Sequence, residues 1–516
     1  MATLPEYFQQ LHAQVREHPD RVALKGADGE LSYGQMWQAA GELAQQLKDR
    51  GVRRVGLCGD NSVAWVLADL ACLLADVVCV PVPVFFAQNQ IDHLTRRAAL
   101  EAMLVSDASL SRNAQALGHG VWLQSLPVFP APARMPEETA KITFTSGSTG
   151  TPKGVCLSVS QMTATTLALK ERLNHVKLER HLCILPLATL LENIAGVYLP
   201  LLMGATVTVA PLQSLGMNGS SGLSLEQLVA GIQQHQPHSM ILVPELAMAL
   251  VHAAEQGELK HHDFRFLAVG GGRVSPALLA RAGAVELPLY EGYGLSECAS
   301  VVALNVPGAA RVGTVGRPLN HVEVRVDEDR RILVRGNTHL GYLGDEPVAE
   351  QDDCWLDTGD LGALDPDGFL SVNGRAKNLL ITSFGRNISP EWLESELIQA
   401  VGARQAVVLG DGEVQPFALL VMAGGRPVEA VHNALARLNE RLPDYARLSS
   451  VYIRHQPLTA GQGYVTANGR PIRHRLQADL PVLMADALFL SLNASGAVPS
   501  SRTASSPTRN THYQES

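Results

Sequence analysis

From Gly34 to Asp49 the apolar residues Met36, Ala40, Leu43, Ala44 and Leu47 recur at the spacing of one helical face, and Gly51 supplies a stop. Short apolar runs follow at Val55–Leu57, Val77–Val82 and Met103–Val105, with a further helix starting at Asn61–Ser62. The longest apolar stretch, Val63 to Phe86, is interrupted by Asp69, Asp76, Pro81 and Pro83. A lipid span needs about 20 apolar residues with few charges, so this stretch reads as a buried helix followed by a buried strand. Strand–helix alternation continues through Ala205–Val209, Met240–Val243 and Phe266–Val269, the pattern of a parallel sheet with helical crossovers.

Near residue 320 the period changes to two. Val322, Val324 and Val326, then Ile332 and Val334, alternate across an Asp-Glu-Asp-Arg segment and predict an antiparallel hairpin. A third region opens near Gly374, with helices predicted at Pro390–Ala400 and Val428–Leu442 and strands at Ala406–Leu409 and Phe417–Val421. Beyond about residue 485 the chain is small, polar and aperiodic, which predicts a disordered tail.

The length of 516 residues corresponds to about three folding units. Hydrophobic residues make up 46% and charged residues 18%, the composition of a globular enzyme and not of a coiled coil or disordered chain. A net charge of −9 with no long basic run gives a nucleic-acid partner no electrostatic support. The seven cysteines are scattered without a Cys-x-x-Cys pair, so neither a disulfide framework nor a cysteine-paired zinc site is expected, and a reducing compartment fits. Met1–Gln10 lacks the charged and apolar regions of a secretory signal. The expectation is a soluble, cytoplasmic protein with no integral membrane segment. Lysine is scarce: eight of the 41 basic residues, which makes any lysine inside a motif conspicuous.

One such motif runs from Lys141 to Gly154, where a short strand enters Thr145, Ser146, Gly147, Ser148, Thr149, Gly150 and Thr151, then Pro152 and Lys153. Glycines let backbone N–H groups approach phosphate oxygens, hydroxyls add donors without bulk, and Lys153 can set a positive charge on a polyphosphate. The spacing is not that of the Walker loop. Further along, Glu297 is a hard oxygen donor of the kind magnesium takes beside phosphates. Tyr293 stands between two glycines, and Asp360 follows a turn-forming Thr-Gly that by itself marks only a turn.

The loop Thr145–Gly154 resembles the phosphate loop of the adenylate-forming superfamily, which includes acyl-CoA synthetases, peptide-synthetase adenylation domains and firefly-type luciferases. Four further segments match that family in order. Tyr290-Glu291-Gly292-Tyr293-Gly294-Leu295-Ser296-Glu297 resembles its Tyr-Gly-x-Thr-Glu motif, which implies Tyr293 against adenine and Glu297 on magnesium. Gly270, Gly271 and Gly272 resemble the glycine turn beside the adenine and acyl pockets. Trp355 to Asp360 matches the motif whose aspartate holds the ribose hydroxyls, and Gly374 to Lys377 matches the hinge, with Arg375 reaching the ribose and Lys377 as pivot. The resemblance covers roughly residues 6 to 476. It implies an α/β fold: an N-terminal AMP-binding domain over 1–374 with two α/β subdomains and a small β-barrel, a hinge at 375–377, a mobile α+β C-terminal lid over 378–482, and a tail over 483–516.

Two positions depart from the family. Leu185 to Glu192 resembles the Leu-Pro-x-Ala-His-x-x-Glu segment of long-chain fatty acyl-CoA synthetases, but Thr189 stands where they have histidine. The loop Leu458 to Arg473 resembles the one that delivers a catalytic lysine to the acyl carboxylate, and here that position is Arg470, with no lysine anywhere after Lys377. Arginine keeps the charge but is planar and forked, so it can bridge carboxylate and phosphate bidentately or disturb the geometry. The implied reaction takes Mg2+-ATP and a small-molecule carboxylic acid to acyl-AMP and then to a thioester with coenzyme A as co-substrate. Ser383 to Pro390 resembles a segment of medium- and long-chain fatty acyl enzymes and points to a fatty acid. An acyl carrier protein as acceptor, and a catalytically impaired nucleotide-binding homologue, are the alternatives.

Overall fold

The computed structural model describes residues 5–492 except 85, 108–112, 128, 130–133, 146–152, 219–221, 260–261, 346–353, 385, 423, 425 and 467–468. Contacts divide the chain into two compact units, one over Met1–Lys377 and one beginning at Asn378.

The first unit is built on two mixed sheets. A nine-stranded sheet has six parallel central strands in the order Leu289–Tyr293, Phe266–Val269, Ser239–Leu242, Arg180–Leu182, Thr206–Val209 and Val22–Gly26, with antiparallel strands at both edges. An eight-stranded sheet carries four parallel strands at its centre, Lys141–Thr145, Val78–Val82, Arg54–Cys58 and Ala102–Val105. One continuous apolar core takes in strands of both sheets and the helices Tyr33–Asp49 and Val63–Ala75.

The local reasons are those in the sequence. Ser32 caps the first of these helices in a reciprocal box with Gln35. Ser62 caps the second, whose first amides Val63 and Ala64 also donate to the Asp28 carboxylate at 3.0 Å. That second helix is apolar around its whole circumference and is buried accordingly. Its one charge, Asp69, is 2.7 Å from Lys141 Nζ, which is itself wholly buried. Lys141 also donates to Asn193 Oδ1 at 2.5 Å and Tyr198 OH at 2.9 Å.

The hairpin expected beyond 320 forms between Val322–Val326 and Arg331–Gly336, with Val324 opposite Val334 and Val326 opposite Ile332. Where a small β-barrel was expected, these strands join Leu356–Leu364 and Leu370–Arg375 in a four-stranded antiparallel sheet whose first and last strands do not pair among the described residues.

The second unit has a four-stranded sheet in the order Gln405–Leu409, Phe417–Val421, Ser450–Arg454 and Leu488–Ser491. Helices Pro390–Val401 and Val428–Arg441 cover one face, and Leu458, Val465, Leu476 and Leu483 pack on the other. The tail expected from 483 is corrected here. Leu480–Ala485 is helical, and Leu488–Ser491 pairs antiparallel with Ser450–Arg454, because Leu490 finds an apolar slot in the core. Residues 493–516 lie outside the described residues. No helix among the described residues is long and apolar enough to cross a membrane.

Candidate active site

The strand Lys141–Thr145 pairs antiparallel with Lys153–Leu157, and Thr145 lies opposite Lys153. The hydroxyl- and glycine-rich segment is therefore the connection of a hairpin. Ser146, Gly147, Ser148, Thr149, Gly150 and Thr151 lie outside the described residues, whereas Thr145 and Lys153 frame them. Lys153 is exposed, with its Nζ 4.9 Å from the centre of the Tyr342 ring. Tyr342 is brought there by the short strand Gly341–Tyr342, which pairs with Val155 and Cys156 of the hairpin. Its hydroxyl donates to Glu297 Oε1 at 2.9 Å. A chain of contacts thus runs from the lysine through one aromatic ring to the glutamate.

The backbone around Glu297 is tightly folded. A Cβ on Gly294 would lie 1.6 Å from the Ser300 carbonyl oxygen, so only glycine fits. Ala299 (φ 49°) and Ser300 (φ 96°) are held in the left-handed region, a cost of about 1–3 kcal/mol each that is tolerated mainly where function needs the geometry. The fold-back is closed by the Ser300 amide on the Leu295 carbonyl and the Val302 amide on that of Tyr293. A carboxylate oxygen is what Mg2+ takes beside substrate phosphates, and Glu297 fits that role. Its Oε1 is steadied by Tyr342, and among the described residues no hydrogen bond engages Oε2.

Asp360 is buried and serves as a junction. Its Oδ2 accepts from the Tyr293 hydroxyl at 2.6 Å and its Oδ1 faces Arg375 Nε at 2.8 Å. Register places the last pair, since Asp360 and Arg375 are direct partners on neighbouring strands. Burial, then the Asp360 charge, push the Tyr293 hydroxyl pKa well above its ordinary value, so it remains a donor. Lys377 is lowered by partial burial and by Arg375, and held up by Asp360; the charge of Lys153 also reaches it. Lys153, Asp360, Arg375 and Lys377 therefore share one electrostatic neighbourhood.

Gly270, Gly271 and Gly272 follow the strand Phe266–Val269, as the sequence predicts. Glu291 is buried on the next strand, Leu289–Tyr293, ahead of Gly292, and its Oε1 accepts from the Val274 amide at 3.4 Å, just past the glycines. Burial pushes its carboxyl up to about 7, opposed by the Val274 amide and by Arg273. Thr189 is half-buried in the turn Pro186–Thr189, where its amide donates to the Pro186 carbonyl at 2.8 Å. Asn61 clamps this segment, donating to the Leu185 carbonyl at 2.8 Å and accepting from the Leu187 amide at 2.9 Å.

Arg470 belongs to the second unit. Its carbonyl accepts from the Thr466 amide at 2.8 Å and its amide donates to Thr466 Oγ1 at 3.1 Å, which pins the base of the loop that carries it. Residues 467–468 lie outside the described residues. Sequence reasoning missed Tyr342, Asn61 and the Asp69–Lys141 pair. A charged residue inside an all-apolar helix is the one signal that could have announced the last of these.

A 2-succinylbenzoate–CoA ligase of Listeria innocua is 25% identical over 433 residues, covering 80% of this chain and 89% of that one. A long-chain-fatty-acid–CoA ligase of Mycobacterium bovis is 29% identical over 336 residues, covering 54% and 53%. Among solved structures, an anthranilate CoA ligase in complex with anthranoyl-AMP superimposes with a TM-score of 0.76 at 18% identity, over 93% of this chain and 98% of that one. The o-succinylbenzoate CoA synthetase of Bacillus subtilis with ATP and a magnesium ion gives 0.73 at 23% identity, over 91% and 99%. These show the mixed α/β fold. The family profile described as AMP-binding enzyme matches residues 11–343, well over half of the chain, and the chain belongs to that family of adenylate-forming enzymes.

Proposed function

We propose that this chain joins a carboxylic acid to coenzyme A at the expense of ATP. In the first step a carboxylate oxygen attacks the α-phosphorus, the bond to the bridging oxygen breaks, and pyrophosphate leaves with the electron pair. In the second, the thiol of coenzyme A loses its proton and attacks the acyl carbon, and AMP leaves. The observation that carries this reading is the Lys153–Tyr342–Glu297 contact chain, which links a cation to a hard carboxylate through one aromatic ring. Magnesium on Glu297 would neutralise the polyphosphate. Lys153 would hold the same phosphates, Asp360 and Arg375 would receive the ribose, and Tyr293 would flank the adenine. Arg470 would draw the carboxylate and α-phosphate together.

For the acid we propose a medium- or long-chain fatty acid. Support comes from the segments Leu185–Glu192 and Ser383–Pro390 and from the similarity to a long-chain-fatty-acid–CoA ligase. A second reading, an aromatic dicarboxylic acid, is favoured by the wider coverage of the 2-succinylbenzoate ligase. Mass spectrometry of products from a panel of fatty acids, 2-succinylbenzoate and benzoate tests this, each with ATP and Mg2+ and either coenzyme A or a phosphopantetheinylated carrier protein. Fatty acyl-CoA as the main product supports the reading. Succinylbenzoyl-CoA alone overturns the choice of acid, and thioester on the carrier alone overturns the choice of acceptor.

A further inference from the structure

The strand Arg180–Leu182 with the following Cys183, and the seven-residue π-helix Glu192–Tyr198, bring three metal-ligand side chains together. His181, Cys183 and Glu192 are all buried, and one donor atom from each lies within 4.8 Å of the others. Single π-helical turns are rare and recur at functional sites. The His181 Nε2 to Glu192 Oε1 separation is 3.4 Å. That is close to the edge of a tetrahedron with bonds of about 2.0–2.1 Å to nitrogen and oxygen.

Three further observations point the same way. His181 Nδ1 is 2.9 Å from Ser239 Oγ, an outer contact that holds the ring with Nε2 facing Glu192 Oε1. Glu192 is wholly buried; His181, the Cys183 thiol and the Leu185 backbone lie against its carboxyl, and its Oε2 makes no hydrogen bond of good geometry. A Cβ at residue 196 would come within 2.5 Å of Glu192 Oε1 and 2.9 Å of His181 Nε2, so Gly196 is what allows the donors to converge.

We propose that His181, Cys183 and Glu192 form a buried structural site for one divalent d-block cation of the zinc class. Mixed nitrogen, sulfur and oxygen donors suit zinc and cobalt(II) and exclude magnesium or calcium. Cys183 enters as thiolate, its proton passing to solvent. A thiolate, a carboxylate and a neutral imidazole then bring a divalent ion to zero net charge, which the apolar surroundings favour. One donor from each residue fills three of the four positions. The widest donor separation closes by about 1 Å on coordination. Because no donor reaches solvent, loading accompanies folding. The ion would tie the strand end to the π-helix on either side of the Leu185–Leu191 segment that carries Thr189.

The test is metal analysis of the untagged full-length protein. It is produced in medium supplemented with zinc or with cobalt and dialysed against a chelator. The expected result is one equivalent of metal per chain, with a thiolate-to-cobalt charge-transfer band in the cobalt form. Cys183→Ser and Glu192→Gln should each fall below about a tenth of an equivalent, while Cys58→Ser, outside the cluster, keeps the full amount. Less than about a tenth of an equivalent in the unsubstituted protein overturns the proposal, as does full retention by both variants. If the variants do not fold, the stoichiometry and cobalt spectrum of the unsubstituted protein decide it.

Discussion

The Tyr293 hydroxyl donates to Asp360 Oδ2 at 2.6 Å, and this bond joins the strand Leu289–Tyr293 to the four-stranded sheet on which Asp360 pairs with Arg375. Because Asp360 is buried, Tyr293→Phe removes one of the donors that its carboxylate uses. The expected cost is about 1–3 kcal/mol in denaturant unfolding, accompanied by a higher KM for ATP. An unchanged KM would mean that the pair is architectural only.

Glu291 gives a pH dependence of known sign. Its pKa is raised in the folded chain from 4.5 to about 7, so the protonated form is favoured by folding. The stability this contributes is complete below about pH 4.5 and is lost as pH rises through about 7, a change of about 3 kcal/mol. Glu291→Gln retains an acceptor for the Val274 amide and should flatten this part of the profile. The variant's melting temperature is expected to exceed that of the parent at pH 8 and not at pH 4.5. Parallel profiles for the two proteins would contradict the assignment.

Lys153 is exposed, so Lys153→Met should leave stability within about 0.5 kcal/mol. Loss of its charge from the polyphosphate should slow adenylation about a hundredfold. In the same assay Glu297→Gln should raise the Mg2+ concentration needed for half-maximal rate. Equal Mg2+ dependence in parent and variant would remove Glu297 from the metal site.

The Lys141–Asp69 pair is a buried charge pair held by Asn193 and Tyr198. Removing one partner strands the other charge, so Lys141→Met should cost about 3–5 kcal/mol. Lys141→Met combined with Asp69→Leu should recover much of that loss. A double variant as unstable as the sum of the singles would show that the pair is not coupled.

These pairings also show where sequence reading stops. Helix Tyr33–Asp49 and the hairpin at 322–336 were legible because their periods are local. Lys153, Glu297, Asp360 and Arg375 stand out as candidates because each sits in a short motif. Tyr342 had no such mark: it reaches Glu297 through a two-residue strand paired far away in the chain. Asn61 meets its clamp partners across 124 and 126 residues, and no local pattern encodes that. The small, polar surroundings of Leu488–Ser491 predict a disordered tail, yet pairing with Ser450–Arg454 makes it a strand.

The most direct test of the account is acid-dependent ATP–pyrophosphate exchange by the full-length protein, measured over an acid panel beside Arg470→Ala. Exchange that requires an acid, and that falls far more in Arg470→Ala than nucleotide affinity does, is the predicted result. Absence of exchange with every acid would contradict it, leaving a protein that binds the nucleotide without activating a carboxylate.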